Sequence, residues 1–118
     1  MSEAQDTGKR GEAAALQLAQ ERGWSAGRTN VRIGRFEADV VCFRQETGGR
    51  AGLLLEVKAS RGRTPSPERV STRQQQRLWR MAETLAVRDD LARVEAAVVL
   101  VTLQDHSEQA VWLELEPF

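Results

Sequence analysis

The sequence predicts one α/β domain over residues 1–118, with a mixed central sheet flanked by helices in the order α-β-β-β-α-β-β. Three observations predict this class. Two stretches carry apolar residues at helical spacing, five short stretches are rich in valine, leucine and other strand-forming residues, and turn residues separate them. A chain of this length builds one hydrophobic core and leaves no room for two.

Both helices are predicted from an apolar face and from their end signals. The first is expected over residues 8–22, where Gly23 supplies the stop. The second begins after a Gly/Pro/Ser-containing loop, with Ser71 and Gln74 at the spacing of a capping box. The residues predicted to form the buried faces are Ala14, Ala15, Leu18 and Ala19 in the first helix, and Leu78, Met81, Ala82 and Leu85 in the second.

Five strands are predicted from β propensity and from the turns between them. Residues 46–50 should form a hairpin turn, which makes the second and third strands antiparallel neighbours. The third strand is apolar on both faces, as expected for a central strand. The predicted strands are residues 24–33, 36–43, 53–58, 96–103 and 110–115.

The bulk composition excludes several classes of protein. The chain is 41% hydrophobic and 29% charged, which is typical of a globular protein. No apolar run approaches the ~20 residues of a membrane span, and no secretory signal is visible, so we expect a soluble cytoplasmic protein without a membrane partner. Cys42 and His106 are the only residues of their types, which excludes zinc fingers. A metal site would need oxygen ligands, which favours Mg²⁺ or Mn²⁺.

Positive charge is concentrated in one segment of this neutral chain. Residues 61–80 contain six arginines and one carboxylate, Glu68, for a net charge of +5. Such a segment suits a local contact with a phosphate backbone, and it equally suits a solvated helix face. Arg61 and Arg63, just after the third strand, are the preferred phosphate contacts, followed by the arginines of the second helix: Arg73, Arg77 and Arg80.

Charged residues interrupt two strands that should touch. Strict alternation would place Asp39 on the same side as Val41 and Phe43, and would put Glu56 and Lys58 together on the third strand. Two carboxylates that repel each other become favourable when a divalent cation lies between them, and a nearby ammonium can steady a developing negative charge. The alternative is a structural Lys–carboxylate pair at a sheet edge, with Asp39 solvated.

Five motifs carry a resemblance to a known family: Gly8-Lys9-Arg10-Gly11-Glu12, Phe36-Glu37-Ala38-Asp39-Val40, Leu55-Glu56-Val57-Lys58, Arg73-Gln74 and Arg93-Val94-Glu95. In their order and spacing the chain resembles the YraN-like family of small uncharacterised bacterial proteins. That family lies within the PD-(D/E)xK nuclease superfamily, which includes archaeal Holliday-junction resolvases. The resemblance implies a restriction-endonuclease-like fold. The chain departs from the family pattern at Phe36, Ala38 and Arg73, where the family has Gly, Ile and Lys.

The resemblance also implies roles for individual residues. Asp39 and Glu56 would ligate Mg²⁺ or Mn²⁺, the Val57 carbonyl would complete the site, and Lys58 would be the catalytic lysine. Glu12 resembles a first-helix glutamate that superfamily resolvases add to their catalytic site, and a carboxylate favoured by the helix dipole is the alternative.

Two further residues are expected to support the site. Gln74 matches the glutamine that opens the second helix in the family. Glu37 matches the family's Gly-Glu step, and both ligation of the metal and support of its ligands remain open for it.

The leading functional hypothesis is a Mg²⁺-dependent endonuclease acting on DNA, including branched or junction DNA. Junction resolution would need a two-fold homodimer that places two sites on opposing strands, and the sequence shows no dimer. The alternatives are a nucleic-acid- or partner-binding module that keeps the fold without turnover, and a purely structural interaction domain.

Overall fold

A computed structural model describes residues 2–116 of the chain. Within these residues, two α-helices and five strands follow each other in the predicted order, with a 3-10 turn over Pro67–Arg69 before the second helix, so the predicted α/β class is confirmed. The helices are α1 (Glu3–Glu21) and α2 (Thr72–Arg88). The strands are β1 (Ser25–Ile33), β2 (Phe36–Glu46), β3 (Gly49–Arg61), β4 (Arg93–Leu103) and β5 (Glu108–Glu114).

The five strands form one mixed sheet in the order β1-β2-β3-β4-β5. β3 and β4 are parallel and are connected through α2, whereas the other neighbouring pairs are antiparallel. β3 lies at the centre, and its residues 51–55 are all buried. The prediction of a central third strand is therefore confirmed, and this strand carries Glu56 and Lys58 outward from the most buried part of the sheet.

The two helices cover opposite faces of the sheet, and each face has its own apolar core. The α1-side core contains Ala15, Ala19, Trp24, Val40, Cys42, Ala51, Leu53, Leu55, Ala97, Val99, Val101 and Leu103. The α2-side core contains Ile33, Ala38, Val41, Leu54, Leu78, Met81, Ala82, Leu85 and Ala96. Neither α1 nor α2, the helices within the described residues, is long and apolar enough to cross a membrane.

The start of α1 differs from the prediction. The helix begins at Glu3 rather than at residue 8, because Ser2 caps it: the Ser2 Oγ accepts from the Gln5 backbone N–H at 3.1 Å, and the Gln5 side chain accepts from the Ser2 N–H. The same capping box, formed by Ser71 and Gln74, opens α2 as predicted. The extra turns of α1 bring its first residues alongside the end of β3.

The hairpin between β2 and β3 is also longer than predicted. β2 continues to Glu46 and β3 begins at Gly49, so only two residues remain in the turn that was expected over residues 46–50. Antiparallel pairing adds these residues to both strands, although their polar side chains carry no strong strand signal.

A candidate active site where two strands separate

The candidate site lies where β2 and β3 stop pairing. Their antiparallel register runs from Glu46–Gly49 to Val40–Leu55. Beyond that pair the Asp39 Oδ2 accepts a 2.7 Å hydrogen bond from the Val57 backbone N–H. A carboxylate thus takes the place of a backbone carbonyl at the end of the ladder, and the acidic group is fixed against the central strand.

Side-chain alternation breaks in β2 at this point. Ala38 and Val41 both belong to the α2-side core, whereas Val40 belongs to the α1-side core. Asp39 lines a cavity together with Glu12 of α1, so it lies on the α1 side next to Val40. The prediction that Asp39 shares a face with Val41 and Phe43 is wrong, because it assumed an unbroken pleat.

Asn30 on β1 lies opposite the break. It lies between the paired residues Thr29–Val40 and Val31–Ala38, opposite Asp39, and its backbone has a positive φ of 54°. Asparagine tolerates this left-handed conformation better than most residues. Its side-chain amide donates to the Glu12 Oε1 at 3.2 Å. Sequence reasoning missed Asn30, although an asparagine in the middle of a strand is an unfavourable choice that could have marked it.

Glu56 and Lys58 form an ion pair on β3. The Lys58 Nζ lies 3.2 Å from the Glu56 Oε1, and the two side chains are 17% and 25% exposed. Lys58 lines the same cavity as Asp39, whereas Glu56 is not among the described residues that line it. The charges of both residues act on Asp39, so the three predicted residues meet at the end of the sheet even though alternation does not place them on one face.

The cavity has a volume of about 810 Å³ and opens between α1, the end of β3 and the loop that precedes α2. A space of this size admits a phosphodiester with part of its flanking sugars. Four of its residues were not singled out from the sequence: Glu3, Ala4, Thr7 and Ala59. The lining residues that carry charge are Glu3, Glu12, Asp39, Lys58, Arg61 and Arg69.

The environment raises the pKa of Asp39 from 3.8 to about 7. Burial of the carboxylate is the largest cause, and the negative charges of Glu56 and Glu12 add to it. The Val57 N–H and the Lys58 ammonium oppose the shift. An aspartate that titrates near neutral pH beside further carboxylates is typical of functional sites.

Arg61 is predicted to contact phosphate, and in the structure it is already held by α1. Its Nη2 lies 2.6 Å from the Asp6 Oδ2, and its Nε lies 3.0 Å from the Thr7 Oγ1 and 3.4 Å from the Glu3 Oε1. Arg63 is exposed, and its backbone carbonyl accepts from the Ser60 hydroxyl. A phosphate that approached the cavity would therefore compete with acidic side chains for Arg61.

The other predicted residues lie outside this cavity. Gln74 uses its side chain in the α2 capping box, and Glu37 is exposed and is not among the described residues that line the cavity. The predicted arginines of α2 are exposed around a second concavity beside Phe36: Arg73, Arg77 and Arg80.

The donors at the site are oxygens, which fits Mg²⁺ or Mn²⁺ rather than zinc. Within residues 2–116, no three side chains among His, Cys, Asp and Glu come close enough together to hold a metal ion. Mg²⁺ does not require three, since it keeps several waters and is commonly bound by one or two carboxylates. The oxygens of Asp39, Glu56 and the Val57 carbonyl therefore fit such an ion in chemistry and number, although the Glu56 carboxylate is paired with Lys58 and Glu56 is not among the described residues that line the cavity.

The comparisons with known proteins identify a family and no function. No curated protein matches the chain. A family model described as "Uncharacterised protein family UPF0102" matches residues 11–101, a span that includes Glu12, Asp39, Glu56 and Lys58. This match agrees with the resemblance to YraN-like proteins seen in the sequence motifs. The chain belongs to the uncharacterised protein family UPF0102.

Proposed function

We propose that this protein is a divalent-metal-dependent endonuclease that hydrolyses DNA phosphodiester bonds, including those of branched DNA, in the cytoplasm. One observation carries the proposal: the Asp39 carboxylate, whose pKa is raised to about 7, is fixed beside Glu56 and Lys58 in an open cavity. A structural Lys–carboxylate pair accounts for Glu56 and Lys58. It leaves the half-buried Asp39 carboxylate stabilised only in part, by the Val57 N–H and by an ammonium that is paired with Glu56.

A bound cation would relieve that electrostatic cost. Ionised Asp39 faces the negative charges of Glu56 and Glu12, and the single Lys58 ammonium is already paired with Glu56. A divalent ion held by Asp39, Glu56 and the Val57 carbonyl would reverse the repulsion. When bound, Mg²⁺ or Mn²⁺ supplies Lewis-acid polarisation of a phosphoryl oxygen and a lower pKa for a water molecule.

The side chains around the cavity would orient the substrate and stabilise the negative charge on its phosphate oxygens. The Lys58 ammonium would donate to the phosphate oxygens as negative charge develops on them. The Glu12 carboxylate, held by the Asn30 amide, would accept a proton from water in the cavity. Arg61 and Arg69 would contact the phosphates on either side of the scissile bond.

The test is a cleavage assay with labelled four-way junction, flap, splayed-arm and linear duplex DNA, each with Mg²⁺, Mn²⁺ or EDTA. Asp39→Asn keeps an oxygen that can accept from the Val57 N–H but removes the charge, and Glu56→Gln does the same for the second carboxylate. Both variants should lose at least about 100-fold in rate, as expected when a transition-state contact is removed.

Asp105→Asn is the matched control, since Asp105 is an exposed carboxylate between β4 and β5 and is not among the described residues that line the cavity. It should retain wild-type activity. Cleavage that persists in EDTA, or in Asp39→Asn, would rule out the proposed site. Sedimentation of the protein with four-way junction DNA would show whether a homodimer forms, as paired cleavage of a junction requires.

The second proposal is a nucleic-acid-binding module without turnover. It is favoured by the Glu56–Lys58 ion pair, which occupies the ammonium that catalysis would use, and by the exposed arginines of α2. DNA binding in EDTA together with no cleavage of any substrate in either metal would select this function over the nuclease.

A further inference from the structure

Four exposed arginines surround one half-buried aromatic ring on the α2 side of the sheet. Arg73, Arg77 and Arg80 of α2 line a concavity of about 370 Å³ together with Phe36. Arg35 lies across the ring, and the guanidinium carbons of Arg35 and Arg77 are 5.3 and 5.5 Å from its centroid. We call these five residues the Phe36 surface.

The charge of this surface is not neutralised within residues 2–116. Six other arginines form ion pairs with carboxylates: Arg10, Arg22, Arg44, Arg61, Arg88 and Arg93. None of the four arginines of the Phe36 surface has a carboxylate of the described residues within ion-pair distance. The nearest acidic side chains in sequence are the exposed Glu37 and Glu83, and Glu83 lines an adjoining concavity with Arg35, Phe36 and Arg80 without forming an ion pair with either arginine. The surface therefore offers four guanidinium groups to a polyanion.

The Phe36 surface lies close to the candidate active site along the chain, although it is on the opposite face of the sheet. Arg69 lines the site cavity and Arg73 follows it in the first turn of α2. From Arg73 to Arg80 the helix rises about 10 Å, which matches roughly three stacked nucleotides at 3.4 Å each. Phe36 precedes Asp39 by three residues on β2, a distance of about 10 Å along the strand.

We infer that the Phe36 surface binds an unpaired nucleic-acid strand that leaves the candidate site. A base would stack on Phe36 in place of one of the two guanidinium groups that lie over the ring, and the phosphates of the strand would contact the arginines. An intact duplex exposes phosphates and base edges, and only an unpaired strand can offer the face of a base to the ring. The substrate class is nucleic acid in which a single strand joins a duplex. This inference rests on the proposed function for its position next to the scissile bond.

The experiment measures binding alone, so that it does not depend on catalysis. Full-length protein in EDTA is titrated by fluorescence anisotropy into a blunt duplex and into the same duplex with a short single-stranded tail that contains 2-aminopurine. The variants are Phe36→Leu, which keeps an apolar side chain but removes the ring, and the double variant Arg77→Gln/Arg80→Gln. Arg22→Gln is the matched control, because Arg22 stacks on Trp112 at 4.3 Å on the other side of the sheet.

We expect the tailed duplex to bind more tightly than the blunt one, with quenching of 2-aminopurine at one tail position. Phe36→Leu should weaken binding of the tailed duplex by about 5- to 50-fold, abolish the quenching and change blunt-duplex binding less than about twofold. The double arginine variant should lower the slope of log affinity against log salt by about 1.4 for the tail. Arg22→Gln should match the wild type.

Equal affinity for tailed and blunt DNA would overturn the inference, and so would quenching that survives in Phe36→Leu. A third contrary result comes from competition: unlabelled poly-glutamate would displace the labelled tailed duplex as effectively as the unlabelled tailed oligonucleotide does. The last result would point to an acidic protein partner. Cleavage assays are scored separately, so loss of tail preference with metal-dependent cleavage intact would reject this inference and leave the proposed function standing.

Discussion

The Asp39 carboxylate is subject to opposing influences from its neighbours. Burial and the charges of Glu56 and Glu12 favour its protonated form, whereas the Val57 N–H and Lys58 favour its ionised form. The first set dominates, so the pKa rises to about 7. At neutral pH this group is poised to exchange a proton for a cation, and its protonation becomes coupled both to folding and to metal binding.

Stability should therefore depend on the ionisation of Asp39. The pKa in the folded state lies above the ordinary value of 3.8, so the stabilisation by the protonated group is complete below about pH 4 and is lost as pH rises through about 7. Asp39→Asn cannot ionise. In EDTA at pH 8 its free energy of unfolding should exceed that of the wild type by about 1–3 kcal/mol, allowing for solvent screening, and the difference should shrink toward pH 4.

Urea denaturation at pH 4, 6 and 8 measures this difference. Glu37→Gln, with an exposed carboxylate on the same strand, should follow the wild-type pH profile. If Asp39→Asn and the wild type lose stability in parallel between pH 4 and 8, the carboxylate has no raised pKa.

Metal should offset that loss at alkaline pH. With Mn²⁺ at a fixed concentration of ten times its Kd at pH 8, binding to the folded state adds about 1.4 kcal/mol, which corresponds to roughly 4–8 °C in Tm for a chain of this size. The shift should be larger at pH 8 than at pH 5.5, because protons compete for Asp39. Thermal unfolding with Mn²⁺ or EDTA measures it, and an equal shift in Asp39→Asn would locate the metal elsewhere.

The sequence motifs pointed to Asp39, Glu56 and Lys58 but could not place Asp39 on the correct face. Alternation is a local rule, and it fails in β2 opposite the left-handed backbone of Asn30 on the neighbouring strand. The hydrogen bond from Asn30 to Glu12 joins residues 18 apart in sequence, which no short pattern encodes. The catalytic and metal-binding roles of these residues remain predictions.

At the scale of the elements, α1 packs closely on β3 because it presents glycine and alanine there. A Cβ added at Gly11 would lie 2.7 Å from the Cβ of Ala59 and 3.4 Å from the Cγ1 of Val57. The close approach keeps Glu12, the next residue, within reach of the site. Element order and both buried helix faces were predictable from periodicity, whereas the first turns of α1 were not, because their residues are polar and only the Ser2 cap marks them.

Substitution of two glycines in α1 should give opposite results. Gly11→Ala forces α1 away from β3 and should destabilise the fold by about 1–3 kcal/mol. Gly8→Ala meets no atom within 4 Å and should stabilise it by about 0.5–1 kcal/mol, since alanine is the better helix former. Chemical denaturation of both variants measures this, and equal effects would mean that the α1–β3 contact is looser than the structure shows.

At the scale of the whole molecule, a neutral chain carries its positive charge unevenly. Residues 61–80 contribute +5 and the remainder an equal negative charge. Acidic residues at the start of α1 already hold Arg61, so part of the basic segment is internally compensated. Binding to a polyanion should therefore involve one limited surface rather than general charge attraction.

A limited surface implies a moderate salt dependence. If three to five arginines contact phosphates of a duplex, the slope of log affinity against log salt should be about −3 to −4.5. Arg69→Gln should reduce its magnitude by about 0.9, and Arg22→Gln should leave it unchanged. Anisotropy titrations between 50 and 200 mM KCl, conditions under which such a slope is resolved, provide the measurement. A slope near zero would exclude a phosphate-binding surface.

The hydrogen bond between Asp39 and the Val57 N–H has a consequence for how the family can evolve. It lies at the end of the β2–β3 hydrogen-bond ladder, so the carboxylate has a structural role in addition to any catalytic role. A descendant that lost all activity would still be selected for an acceptor at this position, and Asn would serve as well as Asp. Retention of Asp39 in a relative is therefore no proof of activity. Exchange of this aspartate for Asn, with the end of the strand preserved, would indicate a family member that no longer binds a metal ion.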